Sequence, residues 1–348
     1  MNKQHMKNEN NEEEIIILEE ISEEKIAPLP RIKKENLLPA SILISSLFLG
    51  GVLLYTVNLK NGTDQGISSL IEKKTPEQEL EGKVLPSKGV TLPVEWKDLG
   101  VKLVDAGVID ADKFKNIYEQ RGAFTEEYRK LLLDENNGKI KITKENSGYI
   151  LNLFWALGLA NKNEILEKGE MMDPKYGGAE NFASTGGWTI AKGGTMEHYS
   201  KHVFFDLTPE QQALVDKVSR GIYRPCCGNS VHFPDCNHGM AMLGLLELMA
   251  SQGTSEQEMW DTALTVNSYW FPNNYLTIAT YMKSKGIDWK NVKPQEMLGA
   301  EYSSSRGFAN IASQVTQPEQ QSASGSGCGL DSGGAPAVQQ QPQPGCGL

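Results

Sequence analysis

The stretch CCGNSVHFPDCNHGMAMLGLLELMASQG, residues 226–253, joins a segment rich in cysteine and histidine to an apolar helix. It contains three of the chain's five cysteines and two of its five histidines. Gly253 stands where the helix would end in a left-handed turn. Because apolar stripes at helical spacing usually pack in a core, this helix is predicted to be a core element. The stripe consists of Met242, Leu245, Leu246 and Met249.

The cysteines and histidines of this stretch supply the donor atoms of a metal site. Thiolates and imidazoles are ligands of Zn(II), and thiolates together with thioethers suit Cu(I). A turn around Pro225 and Gly228 allows adjacent cysteines to face one point. The sequence therefore predicts a site for Cu(I) or Zn(II), with five ligand candidates: Cys226, Cys227, His232, Cys236 and His238.

Additional residues are candidates for the same site. Met242 follows the cysteine cluster within one helical turn, although its apolar stripe favours a place in the core. His198 and His202 are four residues apart, which on a helix puts both imidazoles on one face. Cys328 and Cys346 lie in two GCGL repeats near the end of the chain, where they are predicted to capture metal or pass it on.

Cys236 falls where the apolar helix begins, with Asp235 or Asn237 as the predicted cap. A thiolate near a helix N-terminus is stabilised by the unpaired amides and the helix dipole. This position favours both metal binding and nucleophilic attack. A Cys–His nucleophile would use His232 or His238 as its base, but neither spacing matches a known signature, so catalytic residues are not specified.

Composition and charge narrow the classes of partner. The 348 residues are 39% hydrophobic and 22% charged, which is typical of a globular protein. The net charge of -10 argues against nucleic acid, because a phosphate backbone is bound by clustered lysine and arginine. No nucleic acid partner is therefore predicted.

One uncharged segment, LLPASILISSLFLGGVLLYTV at residues 37–57, is long enough to cross a bilayer as a helix. Residues 1–36 precede it and no small-residue cleavage site follows, which favours an uncleaved anchor over a signal peptide. A modest excess of basic residues before the segment places the N-terminus in the cytoplasm. The chain is thus predicted to be a single-pass protein of the cell membrane with its C-terminal domain outside.

The composition divides the chain into five parts. Residues 1–36 are predicted to be an acidic disordered cytoplasmic tail, 37–57 a transmembrane helix and 58–90 a linker. Residues 91–312 are predicted to form an α-helical ectodomain, and 313–348 a disordered tail of Gly, Gln, Ser and Pro that holds both GCGL elements.

The ectodomain sequence contains capping signals that are typical of helix N-termini. Thr208 and Gln211 form a capping box, and Thr254 and Gln257 repeat that pattern. Only GKIKIT, near residues 138–143, is typical of a strand. The predicted fold class is all-α: a single-pass transmembrane anchor followed by a multi-helix ectodomain with at most one short hairpin, and disordered termini.

Three functions remain open at this level. The first is a membrane-anchored extracytoplasmic protein that handles Cu(I) or Zn(II), with a protein partner in metal or thiol transfer. The second is thiol–disulfide exchange through Cys226, Cys227 and Cys236, with a tail cysteine as the resolving thiol. The third is a structural or interaction domain stapled by zinc, or by a disulfide from Cys236 to Cys226 or Cys227. Whether the chain is an enzyme is not decided.

Overall fold

The computed structural model describes residues 74–315. The two strands are β1 (Val90–Lys97) and β2 (Asn137–Ile142). The helices are α1 (Pro76–Val84), α2 (Leu99–Asp105), α3 (Ala111–Gln120), α4 (Glu126–Leu133), α5 (Ser147–Ala160), α6 (Glu164–Lys168), α7 (Ala183–Gly186), α8 (Pro209–Gly221), α9 (Asn237–Ser251), α10 (Glu256–Trp270), α11 (Pro272–Ser284), α12 (Pro294–Leu298), α13 (Ala300–Ser303) and α14 (Ser305–Ala312).

Helices α5 and α9 form the centre of the domain. Every residue of α5 from Tyr149 to Ala160 is buried, and so is every residue of α9 from Asn237 to Ala250. A helix that is apolar on all sides has to be covered on all sides, and α7, α8, α10 and β1 contact α9 in addition to α5. The prediction of a core helix after Cys236 is confirmed.

The two central helices touch backbone to backbone. A Cβ added at Gly158 would lie 2.8 Å from the amide nitrogen of Gly244, and one added at Gly244 would lie 2.6 Å from the amide nitrogen of Gly158. Real Cβ atoms essentially never come that close. Glycine at both positions therefore sets the separation of α5 and α9.

Strands β1 and β2 form a two-stranded antiparallel sheet, with Val90 opposite Ile142 and Lys97 opposite Asn137. The register is irregular between Thr91 and Glu95, around Pro93, which has no N–H to donate to a ladder. Alternate side chains point into the core, as expected for a sheet with one solvated face. They are Leu92, Val94, Trp96, Ile140 and Ile142.

The predicted all-α fold class is wrong for the described domain. The domain is mostly helical, but β1 and β2 are separated in sequence by α2, α3 and α4, so the sheet is not a hairpin and the domain is not all-α. Between residues 74 and 315, no helix is long and apolar enough to cross a membrane. Residues 37–57, on which the predicted anchor rests, lie outside the described residues, as do residues 1–36 and 316–348.

Two local predictions are confirmed, and one capping box lies one residue later in the chain than predicted. The capping box of Thr208 and Gln211 is present at α8, and Gly253 has the left-handed φ of +74°. The second capping box begins at Ser255, not at Thr254. The reason is that the Thr254 N–H donates to the carbonyl of Met249 and so closes the end of α9. Among residues 74–315, the first helix begins at Pro76, inside the stretch predicted to be a linker.

Glu247 is a fully buried carboxyl group in the middle of α9. Its Oε2 accepts a hydrogen bond from Asn161 Nδ2 at 2.9 Å, whereas its Oε1 has no partner within the described part of the chain. Burial raises the pKa of Glu247 well above its ordinary value, and the hydrogen bond from Asn161 offsets only part of that rise. The folded protein therefore holds a proton here that an exposed glutamate would release.

Replacing Gly158 by alanine is expected to lower the free energy of unfolding by about 3 kcal/mol, because the added methyl group forces α5 and α9 apart. Gly82→Ala on α1 is the matched control, since a Cβ there would meet nothing within 4 Å. This control should raise stability by about 0.5–1 kcal/mol. Urea unfolding of the full-length chain, followed by circular dichroism, measures both. Equal midpoints for Gly158→Ala and the wild type would contradict the helix contact.

Glu247→Gln is expected to stabilise the protein at about pH 8, with the gain shrinking towards about pH 4. The folded state keeps a proton that the unfolded state loses, so the wild-type free energy of unfolding falls as pH rises above the ordinary glutamate pKa. Glutamine has the same shape and does not ionise. Melting temperatures across this pH range test the sign, with the exposed Glu301→Gln as control. A gain that is the same at every pH would contradict the buried proton.

Candidate metal centre

Three cysteine sulfurs meet at the start of α9. Cys226 and Cys227 lie in the turn that follows α8, and Cys236 immediately precedes α9. The Cys236 Sγ is 3.8 Å from the Cys226 Sγ and 4.0 Å from the Cys227 Sγ. These separations exceed the roughly 2.05 Å of a disulfide bond, so the sulfurs are thiols in contact, with Cys236 shared between the other two.

Cys236 itself caps α9, in place of the predicted Asp235 or Asn237. Its sulfur accepts a hydrogen bond from the Gly239 N–H at 3.4 Å. The oxygens of Asp235 are taken by other groups, and the Asn237 Oδ1 accepts from the N–H of His238. The Cys236 sulfur is therefore held at the positive end of a long helix, where negative charge is stabilised.

A fully buried arginine lies against this sulfur. Arg224 Nη2 donates to Cys236 Sγ at 3.3 Å and to Asp235 Oδ1 at 2.7 Å, and Nη1 donates to the carbonyl of Asn229 at 2.9 Å. A buried guanidinium is tolerated only where anionic or polar acceptors surround it. Sequence reasoning missed Arg224, because an arginine two residues before a cysteine pair is an ordinary surface pattern.

The pKa values of Cys227, Asp235 and Cys236 are shifted in different directions by their surroundings. Hydrogen bonds from Cys226 and Cys227, and then the charge of Arg224, hold the pKa of Cys236 well below that of an ordinary thiol despite its burial. A hydrogen bond from Cys226 lowers the pKa of Cys227, but donation to Cys236 and burial outweigh it and raise that pKa to about 12. Burial also raises the pKa of Asp235, with Arg224 offsetting part of the rise. Negative charge is thus concentrated on Cys236.

Two overlapping groups of side chains are close enough to hold a metal ion. In the first, the sulfurs of Cys226 and Cys236 and a ring nitrogen of His238 lie within 4.8 Å of one another. In the second, the same holds for the ligand atoms of Cys227, Asp235 and Cys236. Cys236 belongs to both groups.

The first group has the more available donors. His238 Nδ1 is buried and has no hydrogen-bond partner within the described part of the chain, which is costly for a polar atom unless a ligand satisfies it. The His238 ring is held by Phe271, with ring centroids 4.4 Å apart. In the second group, both Asp235 oxygens are already bonded, to Arg224 at 2.7 Å and to Asn229 at 2.8 Å. The donor chemistry therefore favours Cys226, Cys236 and His238.

His232, the fifth predicted ligand, lies in a different set of contacts. Its Nδ1 is 2.7 Å from Glu170 Oε2 and its Nε2 is 2.7 Å from Asp216 Oδ1. Arg220 Nη2 is also 2.7 Å from that Nε2. His232 thus fastens the loop between Cys227 and Cys236 to α8 and to the turn at Glu170.

His198 and His202 form a separate pair. Their ring nitrogens, Nδ1 of His198 and Nε2 of His202, are 3.0 Å apart, and His198 Nε2 is 2.8 Å from the carbonyl of Lys192. The two histidines do not lie on a helix: the chain turns here, and Ser200 has a φ of +52°. Burial, and then the neighbouring His198, lower the pKa of His202. Neither histidine belongs to the metal-binding groups found among residues 74–315.

The remaining predicted site residues are placed as follows. Met242 is fully buried in the hydrophobic core. Cys328 and Cys346 lie outside the described residues, so their role remains a prediction.

No family model, curated protein or solved structure matches this chain. Its function has to be inferred from the geometry of the site itself.

Gly239→Ala is expected to raise the pKa of Cys236 towards that of an ordinary thiol. A Cβ at Gly239 would lie 2.5 Å from Arg224 Nη2, so the guanidinium has to move away from the sulfur while the helix is preserved. The measurement is a pH titration of thiolate absorbance in a chain whose tail cysteines are replaced by Cys328→Ser and Cys346→Ser. Cys236→Ser in the same chain identifies the step that belongs to Cys236.

Gly82→Ala serves as the control for the added methyl group, because nothing lies within 4 Å of its Cβ. An unchanged titration in Gly239→Ala would show that the Arg224 guanidinium does not stabilise the Cys236 thiolate.

Proposed function

We propose that this protein binds Cu(I) through Cys226, Cys236 and His238 and serves in copper handling. The observation that carries the proposal is the meeting, within 4.8 Å, of two thiol sulfurs and a histidine whose Nδ1 has no partner within the described part of the chain. Cu(I) is a soft ion that thiolates bind well. Structural Zn(II) almost always takes four ligands, and this group supplies three.

The charge around the site supports a monovalent ion. Two thiolates and one Cu(I) leave one negative charge in a buried place. The Arg224 guanidinium, which also pairs with Asp235 at 2.7 Å, lies 3.3 Å from the Cys236 sulfur, and its charge offsets part of that remainder. With Zn(II) the complex of the two thiolates and the ion would have no net charge. The buried arginine would then have no negative charge of the complex to offset.

Access to the site supports handling in preference to catalysis. Cys226 is half-buried, whereas Cys236 and His238 are only 4% and 7% exposed. A partner's thiolate can therefore replace Cys226 first, while Cys236 and His238 still hold the ion. Stepwise exchange of this kind passes Cu(I) between proteins without its release into water. A protein that exchanges copper is accordingly the proposed partner.

The test is anaerobic titration of the full-length protein with Cu(I) in competition with bathocuproine disulfonate. The tail cysteines are replaced by serine so that only the described cysteines compete. One Cu(I) per chain is expected, with affinity reduced at least about 100-fold in Cys236→Ser and in His238→Gln. Cys227→Ser is the matched control and should keep its affinity.

Two results would contradict this proposal. A loss in Cys227→Ser as large as that in Cys236→Ser would move the site to the second group, with Asp235. Retention of Zn(II) against an equal amount of Cu(I) would contradict the choice of metal. Circular dichroism of the metal-free protein separates a loading site, which keeps its helices, from a structural staple, which loses them.

A further inference from the structure

We propose that Cys226 and Cys236 also form a reversible disulfide by exchange with a low-molecular-weight disulfide, and that this oxidation closes the site to metal. The bond-forming sulfurs are already 3.8 Å apart. The activity is a two-electron redox reaction, which metal binding alone does not require. The effect on metal rests on the function proposed above, but the bond itself does not.

Exposure decides where the reaction begins. A disulfide from solution has to reach a sulfur directly, and of the three clustered cysteines Cys226 is the half-buried one. Cys227 and Cys236 are each only 4% exposed. The first exchange is therefore at Cys226.

The electrons and atoms balance in two exchanges. The Cys226 sulfur gives up its proton and attacks the external disulfide RSSR, which forms a mixed disulfide and releases one thiolate RS⁻. The Cys236 thiolate then attacks the Cys226 sulfur, which forms the Cys226–Cys236 bond and releases a second RS⁻. The protein loses two electrons, RSSR gains them, and the proton of Cys226 passes to one of the leaving thiolates.

Geometry selects Cys236 as the second thiol. Its sulfur accepts hydrogen bonds from Arg224 Nη2 and from the Gly239 N–H, at 3.3 and 3.4 Å, and both contacts stabilise the attacking thiolate. Cys227 instead keeps its thiol hydrogen, which faces both the Cys236 sulfur at 4.0 Å and the Asp235 carboxylate at 3.9 Å. A disulfide between the adjacent Cys226 and Cys227 would be strained.

The turn that carries Cys226 has open space at one of its positions. A Cβ at the nearby Gly228 would meet nothing within 4 Å. Contraction of the sulfur separation to about 2.05 Å removes both thiolates from the site. Metal and disulfide are therefore alternatives, since each needs the same two sulfurs.

The experiment uses the metal-free full-length chain with Cys328→Ser and Cys346→Ser, incubated anaerobically with mixtures of reduced and oxidised glutathione. After acid quenching and alkylation, peptide mapping by mass spectrometry identifies the linked cysteines. The expected product is a Cys226–Cys236 disulfide that dithiothreitol reverses. It is expected in Cys227→Ser as well, whereas Cys236→Ser should accumulate glutathione on Cys226.

Circular dichroism confirms that each variant is folded before oxidation. A Cys227–Cys236 bond, or glutathione on Cys227 in place of Cys226, would overturn the assignment. So would the absence of any internal disulfide in folded protein at the most oxidising ratio.

The same reaction on Cu(I)-loaded protein separates the two proposals. Loaded protein should form the disulfide at least about tenfold more slowly than metal-free protein. Equal rates in a protein that demonstrably holds copper would overturn the closing of the site while leaving the bond in place. Disulfide formation in a protein that binds no copper would overturn the proposed function alone.

Discussion

The backbone contact between Gly158 and Gly244 fixes the position of α9 against α5, and the thiol cluster depends on that position. The first turn of α9 carries His238 and Gly239, and Cys236 caps it. Because the two helices meet without intervening side chains, α9 cannot rotate or slide without a steric clash. The cysteines before α9 are thus arranged around a helix end whose position is set by the contact with α5.

Helix α9 carries ionisable groups in two contrasting environments. At its start, hydrogen bonds from Cys226 and Cys227, and then the charge of Arg224, lower the pKa of Cys236, so a buried anion is tolerated. Three turns further on, burial raises the pKa of Glu247, and the neutral amides of Asn161 and Asn163 offset only part of that rise. Burial acts in the same direction on both groups, and the neighbouring donors decide which of them is charged. The difference explains why chemistry is expected at the start of this helix and not in its middle.

Local patterns predicted much of this domain, and long-range contacts account for what they missed. The capping box at Thr208, the core helix after Cys236 and the strand near residues 138–143 follow from neighbouring residues and are confirmed. The partner strand β1 was missed, because Pro93 weakens its alternating pattern and its pairing joins residues far apart in sequence. Arg224 was missed because its burial depends on how α9 meets the turn before it. Spacing likewise placed His232 near the cysteines, but could not show that its ring turns towards Glu170 and Asp216.

One ring nitrogen of His232, in the loop between Cys227 and Cys236, contacts both a hydrogen-bond donor and an acceptor. The Nε2 atom lies 2.7 Å from an acceptor, Asp216 Oδ1, and 2.7 Å from a donor, Arg220 Nη2. If Nε2 carries a hydrogen, it satisfies the aspartate and opposes the arginine; without one, it satisfies the arginine and opposes the aspartate. No single proton arrangement satisfies both contacts of Nε2, but Arg220 also donates to both carboxylate oxygens of Asp216, at 3.0 Å each. The contacts that join the cysteine loop to α8 therefore keep at least one hydrogen bond to His232 in either state.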